Sequence, residues 1–164
     1  MIILGIDPGY AIVGYGVIRQ ENGKTQAIDC GTIDTSKDLP FPDRLLDIDK
    51  GINSLIDKFR PDAIAIEELF FANNQKTAIA VAMARGVIIV AGKRASVPTY
   101  EYTPMQVKQA LTGYGKADKN QVQQMVTRLL GLAKVPKPDD AADALAIALT
   151  HAQTGRLQQL FKVK

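Results

Sequence analysis

Two carboxylates stand where a buried strand should be apolar. Asp7 closes the run Ile2-Ile3-Leu4-Gly5-Ile6, and Glu67 closes Ala63-Ile64-Ala65-Ile66. Desolvating an unpaired charge is expensive, so each needs compensation, either from the backbone of its own turn or from a cation. A third signal is Asp139-Asp140-Ala141-Ala142-Asp143, where Asp140 and Asp143 are three residues apart and share one helix face. Acids in a first helical turn complement the helix dipole by roughly 0.3–1 kcal/mol, which accounts for Asp139 and Asp140 without invoking function. Asp143 is flanked by Ala and Leu on the expected core side and calls for a cation. Glu68 directly follows Glu67, but strand alternation turns it to the opposite face.

Together Asp7, Glu67, Asp140 and Asp143 form a hard, all-oxygen donor set of the kind that suits Mg²⁺ or Mn²⁺. A single His and a single Cys in 164 residues exclude a Cys/His zinc cluster, and Cys30 alone excludes an internal disulfide. The acids also lack the loop spacing of an EF-hand. Two ions held by such a set clamp the attacking and leaving oxygens of an in-line displacement at phosphorus, so the expected chemistry is phosphodiester hydrolysis. Charge distribution agrees. Residues 1–82 carry eight basic against twelve acidic side chains, whereas residues 83–164 carry twelve against five. A basic second half fits a polyanion-binding face, although lysines also commonly do no more than solvate helices.

The elements that must position these acids follow from apolar periodicity and turn signals. Strands are expected at Ile2–Asp7, Ala11–Arg19, Thr25–Thr35, Ala63–Leu69 and Tyr100–Tyr102. Helical spacing runs from Asp43 to Arg60, where Pro61 stops it, and an Ala/Gly-rich helix from Asn74 to Lys93 has small residues that permit close packing. Thr103-Pro104-Met105-Gln106 and Asp118-Lys119-Asn120-Gln121 each carry the pattern of a capping box, and the last helix opens near Pro138. Three early strands followed by alternating helices and strands give an α/β domain: a five-stranded mixed sheet flanked by helices on both faces. A single domain over residues 1–155 is expected, followed by a short basic tail, 156–164, with Arg156, Lys162 and Lys164. The chain starts without a basic leader and its longest apolar stretch is broken by Arg85, so a cytoplasmic protein with no membrane association is expected.

Gly5-Ile6-Asp7-Pro8-Gly9, Gly14-Tyr15-Gly16-Val17, Ile66-Glu67 with Phe70, Ala84-Arg85-Gly86-Val87, Gln106-Val107-Lys108-Gln109 and Asp140-Ala141-Ala142-Asp143-Ala144-Leu145-Ala146 occur in this order. In combination they resemble the RuvC family of bacterial Holliday junction resolvases, over nearly the whole chain. The resemblance implies a ribonuclease H-like fold and a homodimer that makes paired, Mg²⁺-dependent nicks in four-way DNA junctions in recombination and repair. Two ions per site are implied, with Mn²⁺ as a substitute, as is a partnership with a RuvA–RuvB branch-migration complex.

Carried over by motif, the catalytic and metal-holding acids are Asp7, Glu67, Asp140 and Asp143, the same four that the chemistry selects. By the same resemblance Phe70 approaches bases at the crossover, where stacking is worth about 1–3 kcal/mol per base. Core packing is its alternative. Lys108 and Lys119 would place cations beside the scissile phosphate, or else solvate a helix surface. Arg85 reads as a phosphate contact or as the partner of a carboxylate. Where the family often has a small polar residue followed by a basic one, this chain has the uncharged Tyr10-Ala11-Ile12-Val13. Two rivals share the opening motif. An actin/Hsp70-like nucleotide-handling protein needs two such domains, for which the chain is too short, and a nuclease-like fold that binds without cutting would not need all four acids.

Overall fold

A computed structural model describes residues 1–69 and 75–163. Phe70 lies outside the described residues. The strands are β1 (Ile2–Asp7), β2 (Ile12–Glu21), β3 (Lys24–Asp34), β4 (Ala63–Glu67) and β5 (Thr99–Tyr102), in the spatial order β3-β2-β1-β4-β5. β1, β2 and β3 pair antiparallel, whereas β1–β4 and β4–β5 are parallel, so the sheet is mixed as expected. The β2–β3 hairpin turns at Asn22 and Gly23, both with positive φ (50° and 76°), the backbone that matches the twist of the flanking strands.

The helices are α1 (Phe41–Phe59), α2 (Gln75–Arg94), α3 (Pro104–Thr112), α4 (Lys119–Leu129) and α5 (Asp139–Thr154). Helix α1 begins two residues before the expected start, because prolines fit a first turn whose N–H groups have no intrahelical acceptor. It ends at Arg60, which adopts a left-handed conformation and donates its N–H to the Ile56 carbonyl. Both capping boxes form: Thr103 and Asp118 accept from the Gln106 and Gln121 amides, and those glutamines reach back to the cap N–H groups. Strand β4 ends at Glu67, two residues sooner than the apolar pattern suggests. Among the described residues no helix is long and apolar enough to cross a membrane.

Strand alternation divides the core into two layers. Leu4, Ile6, Val17, Ile64 and Ile66 pack against Ile48, Ile52 and Leu55 of α1 and Ala84 and Ile88 of α2. Ile3, Ala63 and Ala65 point the other way, against Leu145, Ala148 and Leu149 of α5 and the apolar sides of α3 and α4. The same alternation places Asp7 and Glu67 on the α5 face.

Of the tail set apart above as 156–164, residues 156–163 fold back on the domain. A 3-10 turn (Gly155–Phe161) brings Phe161 to 5.0 Å from the Tyr102 ring, and the Val163 amide donates to the Thr99 carbonyl at 2.9 Å. Tyr102 in turn shares a 2.7 Å hydrogen bond with Nδ1 of His151 on α5, whose burial lowers its pKa to about 4 and keeps the ring neutral.

Candidate active site

The four acids come from three elements that meet at one end of the sheet. Asp7 ends β1 and Glu67 ends β4; these strands are parallel neighbours whose last paired residues are Ile6 and Ile66. Parallel register therefore delivers both carboxylates side by side. Asp140 and Asp143 lie in the first turns of α5, whose N-terminus is held against β1 and β2 by a floor of glycines. A Cβ on Gly14, the cross-strand partner of Asp7, would sit deep inside contact with the Asp140 carbonyl oxygen. A Cβ on Gly5 would meet the Ala144 carbonyl in the same way, and one on Gly16 would lie 2.7 Å from the Leu145 nitrogen. Only residues without side chains let the helix backbone approach this closely. The glycines of the GIDPG and GYG motifs thus mark where the helix backbone packs on the sheet.

The electrostatics follow from this proximity. The Asp7 pKa is raised from 3.8 to about 7 by burial first, then by the charges of Glu67, Asp143 and Asp140. Glu67 rises from 4.5 to about 7, again chiefly through burial and next through Asp143. Asp143 is also raised by burial, against the pull of Lys119. Lys119 opens α4, and its Nζ donates to Asp143 Oδ2 at 2.9 Å and lies 3.5 Å from Asp139 Oδ2. Lys137 Nζ holds the other oxygen of Asp139 at 2.7 Å, which lowers the Asp139 pKa. Asp139, set aside in the sequence, therefore anchors two lysines at the mouth of the site. A cleft of about 260 Å³ is lined by Glu67, Asp143, Lys108 and Lys119 over an apolar floor of Val107, Val122 and Ile147.

As to a metal, the donors are oxygen only, the neighbouring acids add to burial in raising the Asp7 pKa, and a divalent cation would relieve that repulsion; chemically the set fits a hard ion. Among the described residues, however, no three acidic, His or Cys side chains converge closely enough to grip one ion. Asp143 instead has Lys119 as its cation, while Asp7 senses all three other acids. The two lysines expected beside the substrate both line the cleft, and Phe70 is not described.

A family model described as Crossover junction endodeoxyribonuclease RuvC matches residues 3–151. The curated protein of that name from Alkaliphilus metalliredigens is 55% identical over 164 residues, covering 100% of both chains. Its counterpart from Clostridioides difficile is 54% identical over 99% of this chain and 96% of its own. Among solved structures, T. thermophilus RuvC in complex with a Holliday junction substrate has a TM-score of 0.94 at 41% identity, covering 99% of each chain. The yeast mitochondrial resolvase Ydc2, with a TM-score of 0.67 at 21% identity over 96% of this chain and 83% of its own, shares the fold. On these matches the chain belongs to the RuvC family, crossover junction endodeoxyribonucleases of ribonuclease H-like fold that are metal-dependent and hydrolyse phosphodiester bonds.

Proposed function

We propose that this chain resolves four-way DNA junctions by paired nicks, with Asp7, Glu67, Asp140 and Asp143 holding Mg²⁺ ions at each site. The observation that carries this reading is the meeting of acids from β1, β4 and α5 beside a cleft lined by Lys108 and Lys119. Bound there, divalent ions would activate water and neutralise charge developing on the phosphate. The chain supplies the rest. Lys108 and Lys119 draw the backbone phosphate to the cleft, and Lys119 exchanges its Asp143 partner for the incoming anion. The capping boxes at Thr103 and Asp118 fix the helices on which both lysines ride. Incubation with a labelled synthetic junction and Mg²⁺, beside linear duplex and single strand, tests this: symmetric nicks in the junction alone are expected. Binding without nicks would overturn it in favour of a non-cutting DNA-binding protein.

Two cuts at symmetry-related positions need two sites in fixed opposition, which a two-fold homodimer supplies. Ile79, Met83 and Val90 of α2 are each more than half exposed, and Leu46 of α1 is 49% exposed. With Leu45 and Val87, three of these (Met83, Val90 and Leu46) line a groove of about 580 Å³ between the two helices. We assign this apolar face to the second copy. Sedimentation at micromolar concentration is expected to give a dimer for the natural chain and a monomer for Met83→Glu, with the variant reduced to uncoordinated single nicks. A monomeric natural chain would count against this assignment.

A further inference from the structure

Arg85 is the basic residue whose role the sequence left open, and its surroundings are specific. It lies in the middle of α2, next to the fully buried Ala84, and its side chain is only 15% exposed. A guanidinium so far from water needs partners. Among the described residues it has two, neither on its own helix. One terminal nitrogen, Nη2, pairs with the Glu101 carboxylate on β5, while Nε donates to the backbone carbonyl of Glu67 at 3.3 Å. A single planar group thus ties α2 to the ends of β4 and β5.

The tie falls where β4 has few other constraints. Pairing with β1 stops at Ile66, so Glu67 lies one residue past its last β1 partner. On the other side, β4 keeps its register with β5 through the Glu67–Tyr102 pair, and the Glu68 amide donates to the Tyr102 carbonyl at 2.9 Å. Beyond this point the chain leaves the sheet. We infer that Arg85 is the positioning residue for Glu67: anchored by Glu101, it holds the Glu67 carbonyl and so fixes the direction in which that carboxylate enters the site. It touches neither substrate nor reacting atoms. Arginine suits this task because its two donors point in different directions from one rigid fork; a lysine ammonium could keep the Glu101 pair but not the directed carbonyl bond.

The inference rests on the nuclease reading above, and its test separates the two. In the full-length protein, Arg85→Lys is expected to lower the single-turnover cutting rate on saturating four-way junction with Mg²⁺ by about tenfold, the scale of a sub-ångström misplacement. Junction affinity without divalent ions should stay within about twofold, because the phosphate-drawing lysines are untouched. Amide exchange at Glu68 should quicken while that at Ile64, deep in the strand, stays as in the natural chain. Glu101→Gln, which keeps an acceptor but removes the charge, should give an intermediate rate and an intermediate exchange, and it serves should Arg85→Lys fold poorly. An unchanged rate, or a rate loss matched by an equal loss of folded protein with Glu68 exchange unaltered, would overturn the inference. If the natural chain itself fails to cut, the nuclease reading falls, yet the exchange comparison still decides whether Arg85 holds the end of β4.

Discussion

Asp7→Asn is expected to abolish cutting, by about 10³-fold or more, while leaving junction binding intact. On the proposed reading, the size follows from losing one oxygen donor to ions whose charge stabilisation is worth several kcal/mol, at about 1.4 kcal/mol per tenfold. Binding should survive because, on the proposed reading, phosphate contacts come from lysines, and removing a negative charge from the cleft would not weaken them. Single-turnover cutting and gel-shift titration with the same junction measure both halves. A variant that still cuts within tenfold of the natural rate would remove Asp7 from the chemistry.

The same substitution is expected to raise stability without divalent ions. Asp7 and Glu67 have folded pKa values near 7 against ordinary values of 3.8 and 4.5. Between about pH 4 and 7 the folded state therefore binds protons that the unfolded state has released, so stability falls as pH rises across that window and levels off above it. The last part of this loss, between pH 6.5 and 8, is about 1 kcal/mol for each acid. Below 6.5, His151 works in the other direction, because its pKa near 4 lies under the ordinary 6.5 and acidification favours unfolding. Melting curves in chelator should fall from pH 6.5 to 8 in the natural chain and fall less steeply in Asp7→Asn, which should also melt higher at pH 8. Cutting should rise over the same interval, since protons and divalent ions compete for the same oxygens.

Gly14→Ala is expected to be nearly as damaging, although it removes no functional group. Its new methyl would collide with the Asp140 carbonyl, part of the helix backbone, so α5 rather than a flexible side chain must yield. A displacement of about 1 Å at reacting groups costs about 10²-fold in rate. The overpacking itself costs about 1–3 kcal/mol, or several degrees in melting temperature. Non-additivity identifies the route: if the damage passes through Asp140, the Gly14→Ala, Asp140→Asn double variant is hardly slower than Asp140→Asn alone. Full multiplication of the two rate losses would mean that Gly14 acts elsewhere.

Much of this molecule is local in origin and so legible along the chain. Apolar runs specified β1 and β4, and two capping boxes marked where α3 and α4 begin. Asp7 and Glu67 stood out because a charge at the end of a buried strand needs an explanation wherever the strand lies. The start of α1 and the end of β4 were displaced by two residues, since prolines fit the first turn and since apolar alternation continues past the last ladder bond.

The two strand-end acids, their all-oxygen chemistry and the face on which they lie are local properties of the chain, because strand alternation and the cost of a buried charge act on neighbouring residues. Tertiary structure alone decided that Lys119 answers Asp143, that Arg85 answers Glu101 and the Glu67 backbone, that glycines on β1 and β2 admit α5, and that residues 161–163 close over β5. Each of those depends on how closely distant segments approach, and that distance is set by the packing of the whole core.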